Sequence, residues 1–354
     1  MNEKTSKLLD RSLFDFYKDA LRIAMFHPAW WPAAARLFFN QIISSRKRRA
    51  MLRQNVNVPP FLIISVTDKC NLKCAGCYAR NLHAGNREQF STQRLHDVLA
   101  EAQVLGVSTV LIAGGEPLTR PDILEVTAGY GNIAFALFTN GTLIDDGTID
   151  VLKRQKNVIP VLSMEGLVTE TDARRGEGVF LRIESAMVKL TSSGIFFGCS
   201  VTVTRDNLHI ATDPAWVDAL MKKGCRLFFF VEYIPVEPGS GHKVLTDSER
   251  RKLIESASLF RKKHALFIAF PGDEEQFGGC LAAGRGFIHI NSSGDVEPCP
   301  FAPYSDSSII HTSLKEVLSS GLLAKIRDNH EALNETSGGC ALWKEREWVE
   351  SLLK

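Results

Sequence analysis

The stretch Ser65-Val66-Thr67-Asp68-Lys69-Cys70-Asn71-Leu72-Lys73-Cys74-Ala75-Gly76-Cys77-Tyr78 carries three cysteines spaced C-x3-C-x2-C. It follows Phe61-Leu62-Ile63-Ile64, a short apolar run that reads as a buried strand. A loop leaving the end of a strand can turn three thiols toward one point. Three thiolates leave one corner of a cubane [4Fe–4S] cluster without a protein ligand, and an open iron can take a small chelating ligand. The same thiols admit a zinc knuckle whose fourth ligand lies elsewhere. The spacing weighs against zinc, whose loops more often pair cysteines as C-x2-C.

Beyond this loop, strand-like and helix-like runs alternate. Strands are predicted at Phe61–Val66, Thr109–Ile112, Ile133–Phe138, Val158–Ser163, Phe196–Val203 and Arg226–Ile234. Helices are predicted at Ser91–Leu105, Pro121–Gly129, Ile144–Arg154, Phe180–Thr191 and Pro214–Lys222, the first capped by Ser91 or Thr92. Such βα repeats imply a parallel sheet with helices outside, and the pattern alone does not separate an open sheet from a barrel. Polar, glycine-rich motifs fall at the strand ends. After the second strand comes Gly114-Gly115-Glu116-Pro117, where two glycines let backbone approach a ligand closely. After the third comes Thr139-Asn140-Gly141-Thr142, ordinarily just a turn. After the fourth come Ser163-Met164-Glu165-Gly166 and Asp172-Ala173-Arg174-Arg175-Gly176. The fifth ends in Thr204-Arg205-Asp206-Asn207 and the sixth in Glu232-Tyr233.

The cysteine loop closed by aromatic Tyr78, the GGEP tetrapeptide and the Ser163…Arg175 stretch together resemble the radical S-adenosylmethionine (radical SAM) superfamily, across roughly residues 59–340. The resemblance implies a partial (β/α)6 barrel with ligands at the C-terminal strand ends. It implies that Cys70, Cys74 and Cys77 hold a [4Fe–4S] cluster whose open iron is chelated by SAM. One electron then cleaves the sulfonium to methionine and a 5′-deoxyadenosyl radical, which abstracts hydrogen from substrate. By the same match Tyr78, Gly114, Gly115, Glu116 and Pro117 belong to the SAM site, the GGEP motif holding the amino group. Asn140, Ser163, Arg175 and Thr204 join them, Ser163 and Arg175 at the carboxylate or ribose. Glu165 departs from the pattern, where Asp is usual. Glu232 and Tyr233 are candidates for the substrate side, with a salt-bridge partner and a packed core phenol as the plain alternatives. An electron donor such as ferredoxin or flavodoxin is implied.

A second cysteine set lies downstream. Cys280 precedes a predicted hairpin, Phe287–Asn291 and Val296–Cys299 about the turn Ser292-Ser293-Gly294-Asp295, and Cys340 follows a predicted helix Ser313–Arg327. Cys280…Gly294-x4-Cys299-Pro300 resembles a SPASM or twitch extension, short of the full cysteine complement. That implies one auxiliary [4Fe–4S] cluster held by Cys280, Cys299 and Cys340, suited to taking an electron from a substrate radical. Zinc, or thiols with no shared centre, are the alternatives. Cys199 and Cys225 sit in apolar runs and read as core thiols.

The expected fold class is thus α/β: a helical extension at 1–57, a partial (β/α)6 barrel at 58–270 and a small iron–sulfur domain at 271–354. The chain has 354 residues, 45% hydrophobic and 23% charged, with net charge +2, so no overall field points to nucleic acid. Residues 1–60 alone hold 11 Lys/Arg against 4 Asp/Glu. Leu9, Leu13, Phe16, Tyr17, Ala20 and Ala24 recur at helical spacing. Trp30, Trp31 and the basic run Arg46-Lys47-Arg48-Arg49 follow. That segment reads either as a face packed on the catalytic domain or as a contact to anionic lipid through residues 1–55. A polar start with no apolar leader or spanning run, and eight cysteines, predict a reducing cytoplasm, with peripheral membrane contact as the variant. The expected activity is a radical SAM oxidoreductase acting on a peptide or protein side chain. The rivals are a lipid or cofactor precursor as substrate, and a zinc-binding interaction module without chemistry.

Overall fold

The computed structural model describes residues 3–83, 88–270, 277–330, 333 and 340–354. The polar loop 271–275, where the sequence reading starts its second domain, lies outside the described residues.

The alternation resolves into seven parallel strands in chain order: β1 (Phe61–Ser65), β2 (Thr109–Ala113), β3 (Ala134–Thr139), β4 (Val158–Met164), β5 (Gly198–Val203), β6 (Leu227–Glu232) and β7 (Leu266–Phe270). Each pairs with the next, and the sheet curls into a half-barrel. The six expected strands are present with small shifts at their ends. The sheet then continues beyond β1. Strand β8 (Phe287–Ile290) runs parallel to β1, and β9 (Val296–Glu297) returns antiparallel to it. The hairpin that precedes Cys299 therefore extends the sheet that carries Cys70, Cys74 and Cys77.

Outside the sheet, the helix Thr92–Leu105 shows how the sequence sets its own limits. Ser91 accepts a hydrogen bond from Arg94 N at 3.1 Å, and Leu95, Val98, Leu99 and Ala102 are buried on one face. Gly106 ends the helix at φ +101, a conformation that favours glycine. One expectation fails: Ser313–Arg327 is two helices, Leu314–Val317 and Gly321–Asp328. Ser320 stops the first and caps the second by accepting from Leu323 N. Serine offers the backbone a side-chain acceptor that competes with helix continuation.

A parallel sheet needs cover on both faces. On the concave side the cover comes from the start of the chain, helices α1 (Glu3–Met25) and α2 (Trp31–Leu52). Phe16, Ala20, Ile23 and Trp30 pack against Ala136, Val161, Leu227, Phe229 and Leu266. Polar contacts set the docking angle. Tyr17 Oη lies 2.6 Å from Thr109 Oγ1, and Trp30 Nε1 donates to Gly194 O at 2.7 Å. Two of the four cations in the basic run turn inward. Arg48 is buried and donates to Gly106 O at 2.6 Å and Asp10 Oδ1 at 2.5 Å, and Lys47 Nζ donates to Gln103 O at 2.9 Å. Their targets are carbonyls at the C-terminal end of helix Thr92–Leu105, the negative end of its dipole. The run is therefore partly an internal cap. Among the described residues no helix is long and apolar enough to cross a membrane.

Candidate active site

The cysteine loop leaves β1 and enters helix α3 (Tyr78–Leu82), with Cys77 as the residue before its first turn. All three thiols are free. Burial pushes Cys70 and Cys74 above the usual thiol range. Cys70 feels the negative charge of Cys74 and Cys77, and Cys74 that of Cys77, so the three sulfurs share one locality. Arg175 and Arg174 pull Cys74 back down. Leu72 N donates to Cys70 Sγ at 3.4 Å, a contact that suits a thiolate. Three clustered thiols, nearby guanidinium groups and an N–H on sulfur fit a three-thiolate cluster site.

The glycines of the second motif serve the loop before they serve any ligand. Gly115 N donates to Thr67 O and Glu116 N to Lys69 O, both at 2.8 Å. A Cβ on Gly114 would lie 2.3 Å from Thr67 O, and one on Gly115 2.2 Å from Lys69 O. Only glycine permits this approach. Glu116 is then buried beneath the loop. Its carboxylate accepts from Asn140 N at 2.7 Å, Thr139 Oγ1 at 2.8 Å and Leu118 N at 3.1 Å. Burial raises its pKa and these donors oppose the rise. Asn140 Nδ2 donates in turn to Asn71 Oδ1 of the cysteine loop at 2.8 Å. The ends of β2 and β3 are thus stitched to the cysteine loop.

After β4, Glu165 is buried and its Oε1 accepts from Arg174 Nη1 at 2.5 Å and from Arg175 Nε and Nη2 at 2.9 and 2.5 Å. Its Oε2 has no partner among the described residues. The extra methylene relative to Asp lets one oxygen reach both guanidinium groups. Arg174, which sequence reasoning passed over, also donates to Ala75 O at 3.1 Å. Its signal was the doubled Arg beside a buried acid. Ser163 Oγ accepts from Ser200 Oγ at 3.3 Å. Thr204 is turned into a local hydrogen bond, its N and Oγ1 lying 2.7 and 3.2 Å from Asn207 Oδ1, while Ser200 and Thr202 reach the cavity.

At the end of β6, Glu232 accepts from Arg250 Nε at 2.8 and 3.0 Å inside the protein. Tyr233 packs its ring against Gly76, and its hydroxyl is buried without a hydrogen-bond partner among the described residues. Glu237, not foreseen, accepts from Gly76 N at 2.9 Å and steadies the loop between Cys74 and Cys77.

The thiols and many of these groups border one cavity of about 900 Å³. Cys70, Cys74, Cys77, Cys280, Cys299 and Cys340 all line it, as do Ser163, Arg175 and Tyr233. Tyr78 stands between the two cysteine sets. It is half-buried, feels the charge of both Cys77 and Cys299, and its ring centroid lies 5.0 Å from that of Phe301. Cys199 and Cys225 are wholly buried away from it.

The sequence pattern of the radical SAM superfamily matches residues 64–221. The mycofactocin maturase MftC of Mycobacterium ulcerans is 32% identical over 268 residues, which cover 70% of each chain. The chain belongs to the radical SAM superfamily. A further relative is the AdoMet-dependent heme synthase of Methanosarcina barkeri, 27% identical over 304 residues that cover 78% of this chain and 86% of that protein. In fold, the radical SAM half-barrel aligns with Streptococcus suis SuiB, solved bound to precursor peptide SuiA. The TM-score is 0.67 at 22% identity, over 86% of this chain and 75% of that one. Membership makes the chain a radical SAM enzyme and implies a [4Fe–4S] cluster and SAM.

Proposed function

We propose that this enzyme abstracts hydrogen from a peptide or protein side chain and oxidises it, using a SAM-binding cluster on Cys70, Cys74 and Cys77 and an auxiliary cluster on Cys280, Cys299 and Cys340. The observation that carries the reading is that all six thiols line one cavity. Support for a peptide comes from relatives: MftC is named a maturase, and SuiB was solved with a precursor peptide.

When bound, the cluster and SAM supply the electron and the hydrogen-abstracting radical. The chain's residues do the rest. The GGEP backbone and Glu116 fix the cysteine loop, so the thiols that would hold the cluster keep set positions. Glu165 holds Arg174 and Arg175 in place, and the remaining N–H groups of Arg175 present a charged donor to a carboxylate. Ser163 offers a hydroxyl. Tyr233 presents an unpaired phenol O–H to whatever fills the cavity beside Gly76. Phe138, Phe229 and Phe270, with α1 behind them, keep water from the reacting centre. Glu232, neutralised by Arg250, holds the end of β6 that carries Tyr233.

The test is anaerobic incubation with SAM and dithionite. The wild type forms 5′-deoxyadenosine and Cys74→Ala does not. Offered a library of short peptides beside lipid extracts and porphyrin precursors, the enzyme consumes SAM fastest with its own substrate class. The second reading, a lipid or cofactor precursor, is favoured by the apolar helix-lined floor of the cavity and by the relative named a heme synthase. Faster turnover with either of those sets than with peptides would establish it.

A further inference from the structure

Away from the cavity wall, three side chains that no motif singles out converge: His83 at the end of α3, His289 in β8 and Glu297 in β9. Their ligating atoms all lie within 4.8 Å of one another. His289 and Glu297 are buried, and His83 nearly so.

The hydrogen bonds around them fix the direction of each lone pair. His83 Nε2 lies 2.8 Å from Pro300 O. A carbonyl only accepts, so Nε2 carries a proton, and in the neutral ring Nδ1 presents a lone pair. That lone pair faces Glu297 Oε1 across 3.7 Å, and Glu297 Oε1 also accepts from Asn291 Nδ2 at 2.8 Å. Two acceptors facing each other inside a protein repel unless a proton or a metal cation lies between them. Two ligands on one tetrahedral metal at about 2.1 Å stand roughly 3.4 Å apart.

The third group completes the pattern. His289 Nδ1 lies 2.7 Å from Glu297 Oε2, a hydrogen-bond distance that a bound metal would replace by parting the two atoms, and its Nε2 lies 2.8 Å from Ser65 Oγ. With a metal on Nδ1, the ring proton sits on Nε2 and Ser65 Oγ accepts it. Every prospective ligand then has an outer partner: Pro300 O for His83, Ser65 Oγ for His289 and Asn291 for Glu297. Such partners orient metal-binding imidazoles and carboxylates.

We propose that His83, His289 and Glu297 bind one divalent cation, zinc by their chemistry, which pins the helix following the cysteine loop to the hairpin that leads into Cys299. Two imidazoles and one carboxylate suit zinc better than calcium or magnesium, which prefer oxygen throughout. Ser65 ends β1 at the base of the cysteine loop, so the ion ties that loop, α3 and β8–β9 into one unit. It thereby fixes the separation of the two cysteine sets.

The experiment uses the full chain, loaded anaerobically with iron and sulfide and then dialysed against equimolar zinc. Zinc and iron are counted together by mass spectrometry, and zinc-edge X-ray absorption reads the ligand atoms. The expected result is one zinc per chain in a shell of nitrogen and oxygen only. His83→Ala loses the zinc and keeps its iron. Should His83→Ala shed iron as well, the near-isosteric Glu297→Gln and His289→Gln decide by the same ratio of zinc to iron. Absent zinc, a sulfur-containing zinc shell, or zinc retained in all three variants overturns the proposal.

Discussion

Replacing Gly115 by alanine puts one methyl group where the structure has no room. The new Cβ would lie 2.2 Å from Lys69 O, 2.6 Å from Lys69 C and 2.7 Å from Asp68 O. All three are backbone atoms, so no rotamer change relieves the clash. Ordinary nonbonded separations begin near 3.5 Å, so roughly 1 Å must come from moving the cysteine loop off the GGEP turn. That movement stretches Gly115 N to Thr67 O and Glu116 N to Lys69 O, each 2.8 Å in the native loop. Two hydrogen bonds at about 1 kcal/mol each, with overpacking at about 1–3 kcal/mol, give about 3–5 kcal/mol. At about 2 °C per kcal/mol for a chain this large, Tm falls by about 6–10 °C. If the loop yields instead of the fold, a misplacement near 1 Å slows SAM cleavage by about 100-fold. Thermal unfolding of iron-loaded protein and a 5′-deoxyadenosine assay cover both routes. Gly129→Ala is the control, since its Cβ meets nothing closer than Val126 O at 3.6 Å. A Gly115→Ala protein with wild-type Tm and wild-type cleavage rate would refute the argument that these glycines exist for the loop.

Tyr233→Phe removes a buried hydroxyl that has no partner, so stability should hold or rise by about 1 kcal/mol while substrate turnover falls; a turnover unchanged by the substitution removes Tyr233 from the substrate side. Glu165→Gln strips the charge that holds Arg174 and Arg175, and a broken buried pair costs about 3–5 kcal/mol, read by thermal unfolding alongside a weakened apparent affinity for SAM. Cys280→Ala should reduce iron from about 8 to about 4 per chain if the downstream thiols hold a second cubane. Asp145 caps the helix Asp146–Arg154 by accepting from Thr148 N at 2.7 Å, and that bond holds its pKa below the usual Asp value. Asp145→Ala therefore costs about 1 kcal/mol at pH 7. A depressed acid contributes stability above its unfolded pKa and loses it as pH falls through the folded value, so the cost shrinks below about pH 3.9. Denaturant titrations at pH 7 and pH 3 compare the two.

Much of this architecture is legible in the residues, because period-two and period-3.6 patterns are local properties. The six βα units and a cap at Ser91 or Thr92 follow from spacing alone; the structure chooses Ser91. Long-range register is different. Nothing in Phe287–Ile290 says that it pairs with Phe61–Ile64, since any apolar strand of that length satisfies the edge of β1. The helix break at Ser320 depends on one side-chain acceptor competing with the backbone. The inward turn of Lys47 and Arg48 depends on carbonyls at the end of a helix more than 50 residues later. Within the site, residue types were readable but partners were not. Arg175 was expected, from the family resemblance, at the SAM carboxylate or ribose; its hold on Glu165, shared with Arg174, appears only once the loop after β4 is folded.

The pairing of β8 with β1 has a consequence for how the molecule is made. Until the hairpin emerges from the ribosome, β1 has a bare edge and the base of the cysteine loop has no neighbour on that side. A nascent chain stopped short of the hairpin would expose Phe61–Ile64 as a template for another polypeptide. On the proposed function, the first three thiols would then take up iron most safely once β8 has folded against β1.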